Sequence, residues 1–156
     1  MRLIKLAILS FIFLFIVVTA ISLLIPSRIR ISKAINIGAP QDSIFYFIKD
    51  ESRWPQWYPA FMATDSSRKK PQIQISPKAA SDSELVFQLQ QEGKMPIING
   101  WKIYHHPSTD SLTLQWYSDF HLKWYPWQKF GSLFYENTYG VMMEQGLSNL
   151  KKLSEK

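Results

Sequence analysis

The three histidines of this sequence are its best candidates for acid–base or ligand-orienting chemistry. His105 follows Trp101 and Ile103 in a segment with strand alternation, so the three side chains share one face. An imidazole among apolar side chains would orient a hydrophobic ligand in a pocket. The alternative is a core or rim histidine whose hydrogen bond is satisfied by a neighbour. His106 points to the opposite face of the strand, so these two histidines cannot hold one metal ion.

A second polar set lies in the segment 111–122. Asp119 and His121 share one face there and resemble an orienting carboxylate and a base. A nucleophile such as Ser118 would point to the opposite face, so a solvated polar face is the favoured interpretation. The adjacent Asp50 and Glu51 follow a predicted helix and are interpreted as solvated carboxylates.

Motifs that would add chemistry are missing from the sequence. It contains no Walker loop, dinucleotide fingerprint, HExxH motif or nucleophile elbow. It also contains no cysteine, which excludes disulfides, thiol catalysis and cysteine-based metal sites. The sequence therefore predicts no catalytic residue set, no metal site and no cofactor.

The elements that would position these residues follow from hydrophobic periodicity. Apolar alternation predicts strands over 29–37, 72–76, 84–91, 101–106 and 111–122. The last two, joined by a turn over 106–110, should pair as an antiparallel hairpin. A helix should begin after Pro40 and bury Ile44, Phe45 and Ile48, and the prolines of the segment 54–59 should end it.

A long amphipathic helix is predicted over 132–153, with a kink, a break or a close approach to the sheet near Gly140. Its apolar stripe comprises Tyr139, Met142, Met143, Gly146, Leu147, Leu150 and Leu153. The order of elements predicts an α+β fold in which this helix fills the concave side of a curved antiparallel sheet.

Three sequence segments resemble the START-like (SRPBCC) superfamily, in its polyketide cyclase/dehydrase-type branch. They are INIGAP at 35–40, WPQWYP at 54–59 and GLSNLK at 146–151, within a similarity that covers roughly 30–153. The resemblance implies a helix-grip fold with a cavity between the sheet and the C-terminal helix. Members of the superfamily bind lipids, sterols, hormones or polyketides, and some are enzymes. Many members carry a Gly-rich stretch with Trp in the middle strands, where this chain has only Asn99-Gly100-Trp101.

The predicted ligand-binding residues are those whose strand or helix face would point into that cavity. They are Trp101, Ile103, His105, Leu114, Trp116, Met143 and Leu147. The first functional hypothesis is a noncatalytic domain that binds a hydrophobic small molecule or lipid. The alternatives are a cyclase- or dehydratase-type enzyme acting on an apolar substrate, and a protein-interaction domain with a collapsed cavity.

A run of twenty uncharged, mostly apolar residues extends from Leu6 to Ile25. A helix of this length, at about 1.5 Å per residue, spans roughly the 30 Å of a bilayer's hydrocarbon core. A signal peptide is the alternative, but its apolar region is shorter and ends in small residues, whereas Leu24-Ile25-Pro26 ends this run. We therefore predict a head and uncleaved membrane anchor over 1–26 and one START-like domain over 27–156.

Basic residues flank both ends of this run in nearly equal numbers. Arg2 and Lys5 precede it, and Arg28, Arg30 and Lys33 follow it. The positive-inside rule compares these two sets. We favour a short basic head retained inside the cell, and a single-pass membrane protein whose domain is extracytoplasmic.

The formal net charge of +6 suits proximity to anionic lipid and is too diffuse for nucleic acid. The tightest basic run, Arg68-Lys69-Lys70, is interpreted as a solvated loop. The aromatic corner, Trp124 to Phe130, contains Trp124, Tyr125 and Trp127 beside Lys123 and Lys129, a composition typical of a membrane-interfacial anchor. The favoured interpretation is nevertheless a structural corner packed against Trp54 and Trp57.

Overall fold

The computed structural model describes residues 2–62, 72–107 and 111–156. The basic run Arg68-Lys69-Lys70 and part of the predicted turn over 106–110 lie outside the described residues. The helices are α1 (Arg2–Ser22), α2 (Gln41–Lys49), α3 (Pro126–Gly131) and α4 (Val141–Ser154). The strands are β1 (Arg28–Ile37), β2 (Ile73–Ala80), β3 (Glu84–Gln91), β4 (Ile97–His105) and β5 (Leu112–His121).

The five strands form one antiparallel sheet in the order β1-β5-β4-β3-β2. The predicted hairpin is confirmed, with Trp101 opposite Trp116 and His105 opposite Leu112. Alternation works as expected in β5, where Leu112, Leu114, Trp116, Ser118 and Phe120 are all buried on one face. The α+β arrangement, with the C-terminal helix packed on this sheet, is therefore confirmed.

Helix α2 is short and amphipathic, and it buries the predicted residues Ile44, Phe45 and Ile48. A 3-10 helix over Glu51–Gln56 follows it and turns two tryptophans into the core. Trp54 Nε1 donates to the Ile48 carbonyl at 2.9 Å, and Trp57 Nε1 donates to the Phe47 carbonyl at 3.2 Å. These bonds satisfy both indole N–H groups and fix the rings inside the domain.

The helical segment predicted over 132–153 is divided near Gly140, which was one of the outcomes predicted for it. Helix α3 begins earlier, at Pro126, and a 3-10 turn over Ser132–Phe134 and a π-helical turn over Glu136–Gly140 separate it from α4. A Cβ atom at Gly140 would lie 3.0 Å from Lys33 Cε, so glycine permits the close approach to β1. Lys33 Nζ lies 2.7 Å from both Glu136 Oε1 and Glu144 Oε1, which bridges the π turn and α4.

Gly146 should be intolerant of even one added methyl group. Its Cβ would lie 2.7 Å from Trp116 Cζ3, and the Trp116 ring is held by a 2.9 Å hydrogen bond from Nε1 to Asn99 Oδ1. Overpacking costs roughly 1–3 kcal/mol, which should exceed the gain of about 1 kcal/mol from replacing helical glycine by alanine. Gly146→Ala should therefore lower the thermal unfolding midpoint. Gly131→Ala is the matched control, because nothing lies within 4 Å of its Cβ position. Equal midpoints for the two variants would contradict the packing described.

Candidate ligand-binding cleft

A cleft of about 540 Å³ lies between one end of the sheet and the C-terminal helical segment. Strand residues Ile73, Leu89 and Ile97 form one wall, and Tyr139 and Met142 form the opposite wall. The strand residues face the cleft because their alternation turns the apolar side of the sheet toward the helix. The complete lining is Tyr58, Ala60, Ile73, Leu89, Gln91, Gly93, Lys94, Met95, Ile97, His121, Leu122, Lys123, Gln128, Tyr135, Tyr139 and Met142.

The cleft lies at the end of the sheet where α1 joins the domain. Arg28, the first residue of β1, pairs with His121 at the end of β5, and His121 lines the cleft. The next residue, Leu122, donates its N–H to the Ser27 carbonyl at 2.7 Å. The β3–β4 hairpin turn reaches the same end, because Ile97 pairs with Phe120. The cleft and the end of the apolar helix are therefore close together.

Basic and amide groups lie in the parts of the lining contributed by two connections. The β3–β4 turn provides Lys94 beside Gly93, whose φ of 74° is the left-handed conformation that glycine adopts without strain. The β5–α3 connection provides Lys123, whose N–H donates to Gln128 Oε1 at 3.0 Å. The two connections therefore add polar groups to a mostly apolar lining.

The tyrosines of the lining are neutral hydrogen-bonding groups. Burial raises the pKa of Tyr58 well above its ordinary value, and burial also raises the pKa of Tyr139, with a smaller contribution from Tyr135. Tyr135 and Tyr139 pack on Phe120, with ring centroids 4.9 and 4.6 Å away. The raised pKa values keep the hydroxyl groups of Tyr58 and Tyr139 protonated at neutral pH, so they offer polar points within a mostly aromatic wall.

None of the seven predicted ligand-binding residues belongs to the lining of this cleft. Six are buried in the core: Trp101, Ile103, Leu114, Trp116, Met143 and Leu147. The seventh, His105, is exposed at the opposite end of β4, where its Nε2 lies 2.9 Å from Gln41 Oε1. The structure thus brings the six together but leaves His105 apart, and their contact with a ligand stays a prediction.

Tryptophan packing explains why the cleft is displaced from those residues. Trp54 lies 5.6 Å from Trp101 between ring centroids, and Trp57 lies 5.8 Å from Trp116. Tyr58 packs on Trp116 at 4.7 Å. These rings occupy the space between the middle of the sheet and α4. The open volume therefore remains at the end near α1. The sequence offered one signal for this, the WPQWYP segment, which periodicity identifies only as a helix stop.

Trp101 differs from the other core tryptophans in its hydrogen bonding. Its buried Nε1 has no hydrogen-bond partner within the described part of the chain. A buried unsatisfied donor costs roughly 1–3 kcal/mol.

The polar set of β5 does not form a nucleophilic site. Asp119 accepts two hydrogen bonds from Arg30, at 2.6 and 2.7 Å, in a bidentate ion pair. Ser118 is buried on the other face and donates to Asn99 Oδ1 at 2.5 Å. His121 lines the cleft, whereas Asp119 and Ser118 do not belong to the lining. Within residues 2–62, 72–107 and 111–156, no three His, Asp or Glu side chains are grouped to hold a metal ion.

The two tryptophans of the aromatic corner are exposed, and the favoured interpretation, in which the corner packs against Trp54 and Trp57, is wrong. Trp124 and Trp127 are 59% and 64% exposed, and Tyr125 stacks on Trp127 at 4.8 Å. The two core tryptophans instead pack on other rings within the core. The reason is that α3 packs beside the end of α1 rather than over the core.

Comparison with known proteins identifies the fold. No family model matches the chain, and no curated protein matches it. Among solved structures it is similar to the di-domain ARO/CYC StfQ from the steffimycin biosynthetic pathway. That match has a TM-score of 0.65 and 10% identity, and covers 82% of this chain and 51% of the other. A START superfamily protein from Mycobacterium smegmatis matches with a TM-score of 0.59 and 18% identity, covering 81% and 97% of the two chains.

A second di-domain ARO/CYC, BexL from the BE-7585A biosynthetic pathway, has a TM-score of 0.59 and 11% identity. The match covers 83% of this chain and 51% of BexL. The chain thus spans about half the length of these two cyclases. At these identities the similarity shows the fold alone. The predicted START-like helix-grip fold, a curved antiparallel sheet around a long C-terminal helical segment, is confirmed.

Proposed function

We propose that this protein is a membrane-anchored, noncatalytic domain that binds a hydrophobic small molecule or lipid in its cleft. The observation that carries the proposal is the 540 Å³ cleft between the sheet and the C-terminal helical segment. Ligand pockets of drug-sized molecules fall in the range of roughly 300–1,000 Å³ and are mostly apolar with a few polar groups. A cleft of this size argues against an interaction domain with a collapsed cavity.

Helix α1 supports the anchoring part of the proposal. It is long and apolar enough to cross a membrane, and none of its most apolar stretch is buried against the domain. Signal sequences have the same character near an N-terminus, but the bulky residues after Ser22 oppose cleavage. We further propose that the domain is extracytoplasmic, because Arg2 and Lys5 form a short basic head that is retained inside.

The second candidate is a cyclase- or dehydratase-type enzyme acting on an apolar substrate. The similarity in fold to two ARO/CYC proteins favours it. A general base must reach the substrate from the cleft, and His121 is the imidazole in the lining. We prefer the noncatalytic binding domain because Asp119 is bonded to Arg30. His121 therefore lacks the carboxylate partner that the sequence suggested for it. A product formed from a polyketide-like substrate and lost in His121→Gln would favour the enzyme.

Native mass spectrometry of the full-length chain from washed membranes tests the proposal. The protein should stay in the membrane pellet after high-salt and carbonate washing. After gentle solubilisation it should carry an added mass of an amphiphile that is released on unfolding. A soluble form beginning near residue 26 would contradict the anchor. A pelleted protein with the mass of the chain alone, at every detergent condition, would contradict ligand binding.

A further inference from the structure

An exposed apolar surface lies close to the point where α1 joins the domain. Four large side chains form it, each between 59% and 66% exposed: Trp124, Trp127, Leu133 and Phe134. We call these four residues the aromatic face. They belong to α3 and the turns on either side of it, and the core contacts of the domain account for none of them. Such large exposed apolar residues mark a surface that another apolar phase covers.

The aromatic face is fixed to the end of α1 by buried polar bonds. Lys129, in α3, is only 2% exposed. Its Nζ donates at 2.7 Å to the Ile25 carbonyl and at 2.7 Å to Ser27 Oγ. Leu122 donates to Ser27 from the other side, and α1 itself contacts α3. These bonds hold the aromatic face beside the end of the apolar helix.

We propose that the aromatic face lies on the surface of the bilayer that α1 crosses. This inference rests on the proposed anchoring by α1. Trp side chains prefer the headgroup level of a membrane, where the ring is partly buried and its N–H stays wet. Leu133 and Phe134 would enter the acyl boundary beside them. The nearby Arg28 and Lys123 add attraction to anionic headgroups.

This placement determines which end of the domain faces the bilayer. The β5–α3 connection contributes both Lys123 of the cleft and Trp124 of the aromatic face. The cleft is therefore held at the headgroup level, and Lys94, Lys123 and the exposed Met95 lie on that side. Tyr104 and His105, at the other end of β4, point away from the membrane.

Tryptophan fluorescence can test the proposal because the six tryptophans divide cleanly. Trp54, Trp57, Trp101 and Trp116 are fully buried, and only Trp124 and Trp127 are exposed. The full-length chain is placed in nanodiscs of phosphatidylcholine and phosphatidylglycerol, with or without bromine at carbons 6 and 7 of the acyl chains. We expect the brominated lipid to quench the emission, and iodide in the buffer to quench little of it.

Two variants provide matched controls. In the double variant Trp124→Phe and Trp127→Phe, quenching by brominated lipid should fall at least three-fold. Adding Tyr104→Trp to that variant places one exposed indole at the other end of the sheet. Its emission should be quenched by iodide and not by brominated lipid.

Other outcomes would overturn the inference in distinguishable ways. If iodide quenches the emission of Trp124 and Trp127 and brominated lipid does not, the aromatic face lies in water, even in a chain that resists carbonate extraction. Protection from both quenchers, with two chains per nanodisc by mass, would assign the face to a second copy of this chain. Release of the chain by carbonate would remove the anchor of the proposed function and this inference with it.

Discussion

Replacing Leu147 with aspartate should leave the domain unfolded. Leu147 is 1% exposed on the face of α4 that packs on the core, next to Gly146 and Trp116. A carboxylate there would lose its hydration without gaining a partner, which costs several kcal/mol or forces protonation. Domains of this size are stable by only about 5–15 kcal/mol in total. Circular dichroism and limited proteolysis of the purified chain should show loss of the cooperative unfolding transition.

The matched control is Gln145→Asp, two residues earlier on the exposed side of the same helix. It introduces the same charge into water and should change stability by less than about 0.5 kcal/mol. If Leu147→Asp and Gln145→Asp had the same thermal unfolding midpoint, α4 would have to pack through another face. That result would also contradict the position of Met142 in the wall of the cleft.

Replacing Met142 with tryptophan should block ligand binding while the domain stays folded. Met142 is half-buried and lines the cleft from the helical side, so a larger ring there would occupy ligand volume rather than core volume. A fatty acid carrying a diazirine group, photolysed with the full chain in nanodiscs, should label peptides from both cleft walls. We expect Met142→Trp to lower the labelling affinity at least ten-fold, which corresponds to about 1.4 kcal/mol.

Val141→Trp is the control for this variant. Val141 precedes Met142 but is exposed and does not belong to the lining, so the same ring there should leave labelling unchanged. His105→Gln tests the site predicted from the sequence. The contrary result is labelling of peptides around Trp101 and Trp116. If His105→Gln weakened that labelling and Met142→Trp left it unchanged, the ligand would bind among the residues predicted from the sequence.

Local patterns predicted that the five strands and the second helix exist, but not every boundary. Strand β2 continues to Ala80 beyond the predicted end at 76, and β4 begins at Ile97 before the predicted start at 101. The range predicted for β3, 84–91, agrees with Glu84–Gln91, and the pairing of β4 with β5 is as expected. Alternation succeeds here because one face of an antiparallel sheet is buried and its side chains repeat every two residues. The buried stripe of α2 follows from the helical repeat in the same way.

Predictions that depended on contacts between distant residues were less successful. The sequence predicted a kink, a break or a close approach near Gly140, but not that Lys33, about a hundred residues earlier, pairs with Glu136 and Glu144 across the π-helical turn. Trp124 and Trp127 are exposed because α3 packs beside the end of α1, where Lys129 bonds to Ile25 and Ser27. No periodicity within either segment could indicate these partners.

The residue pattern was enough to predict the α+β class, the antiparallel hairpin, the apolar helix near the N-terminus and the resemblance to the START-like fold. These features follow from composition and from the periodicity of side chains that are close together in the chain. The position of the open volume, in contrast, depends on contacts between distant residues. Trp54 and Trp57 are brought by their bonds to Ile48 and Phe47 into the space beside Trp101 and Trp116. Close packing excludes a ligand-sized cavity wherever such rings meet, so the cleft lies at the end of the sheet beside α1.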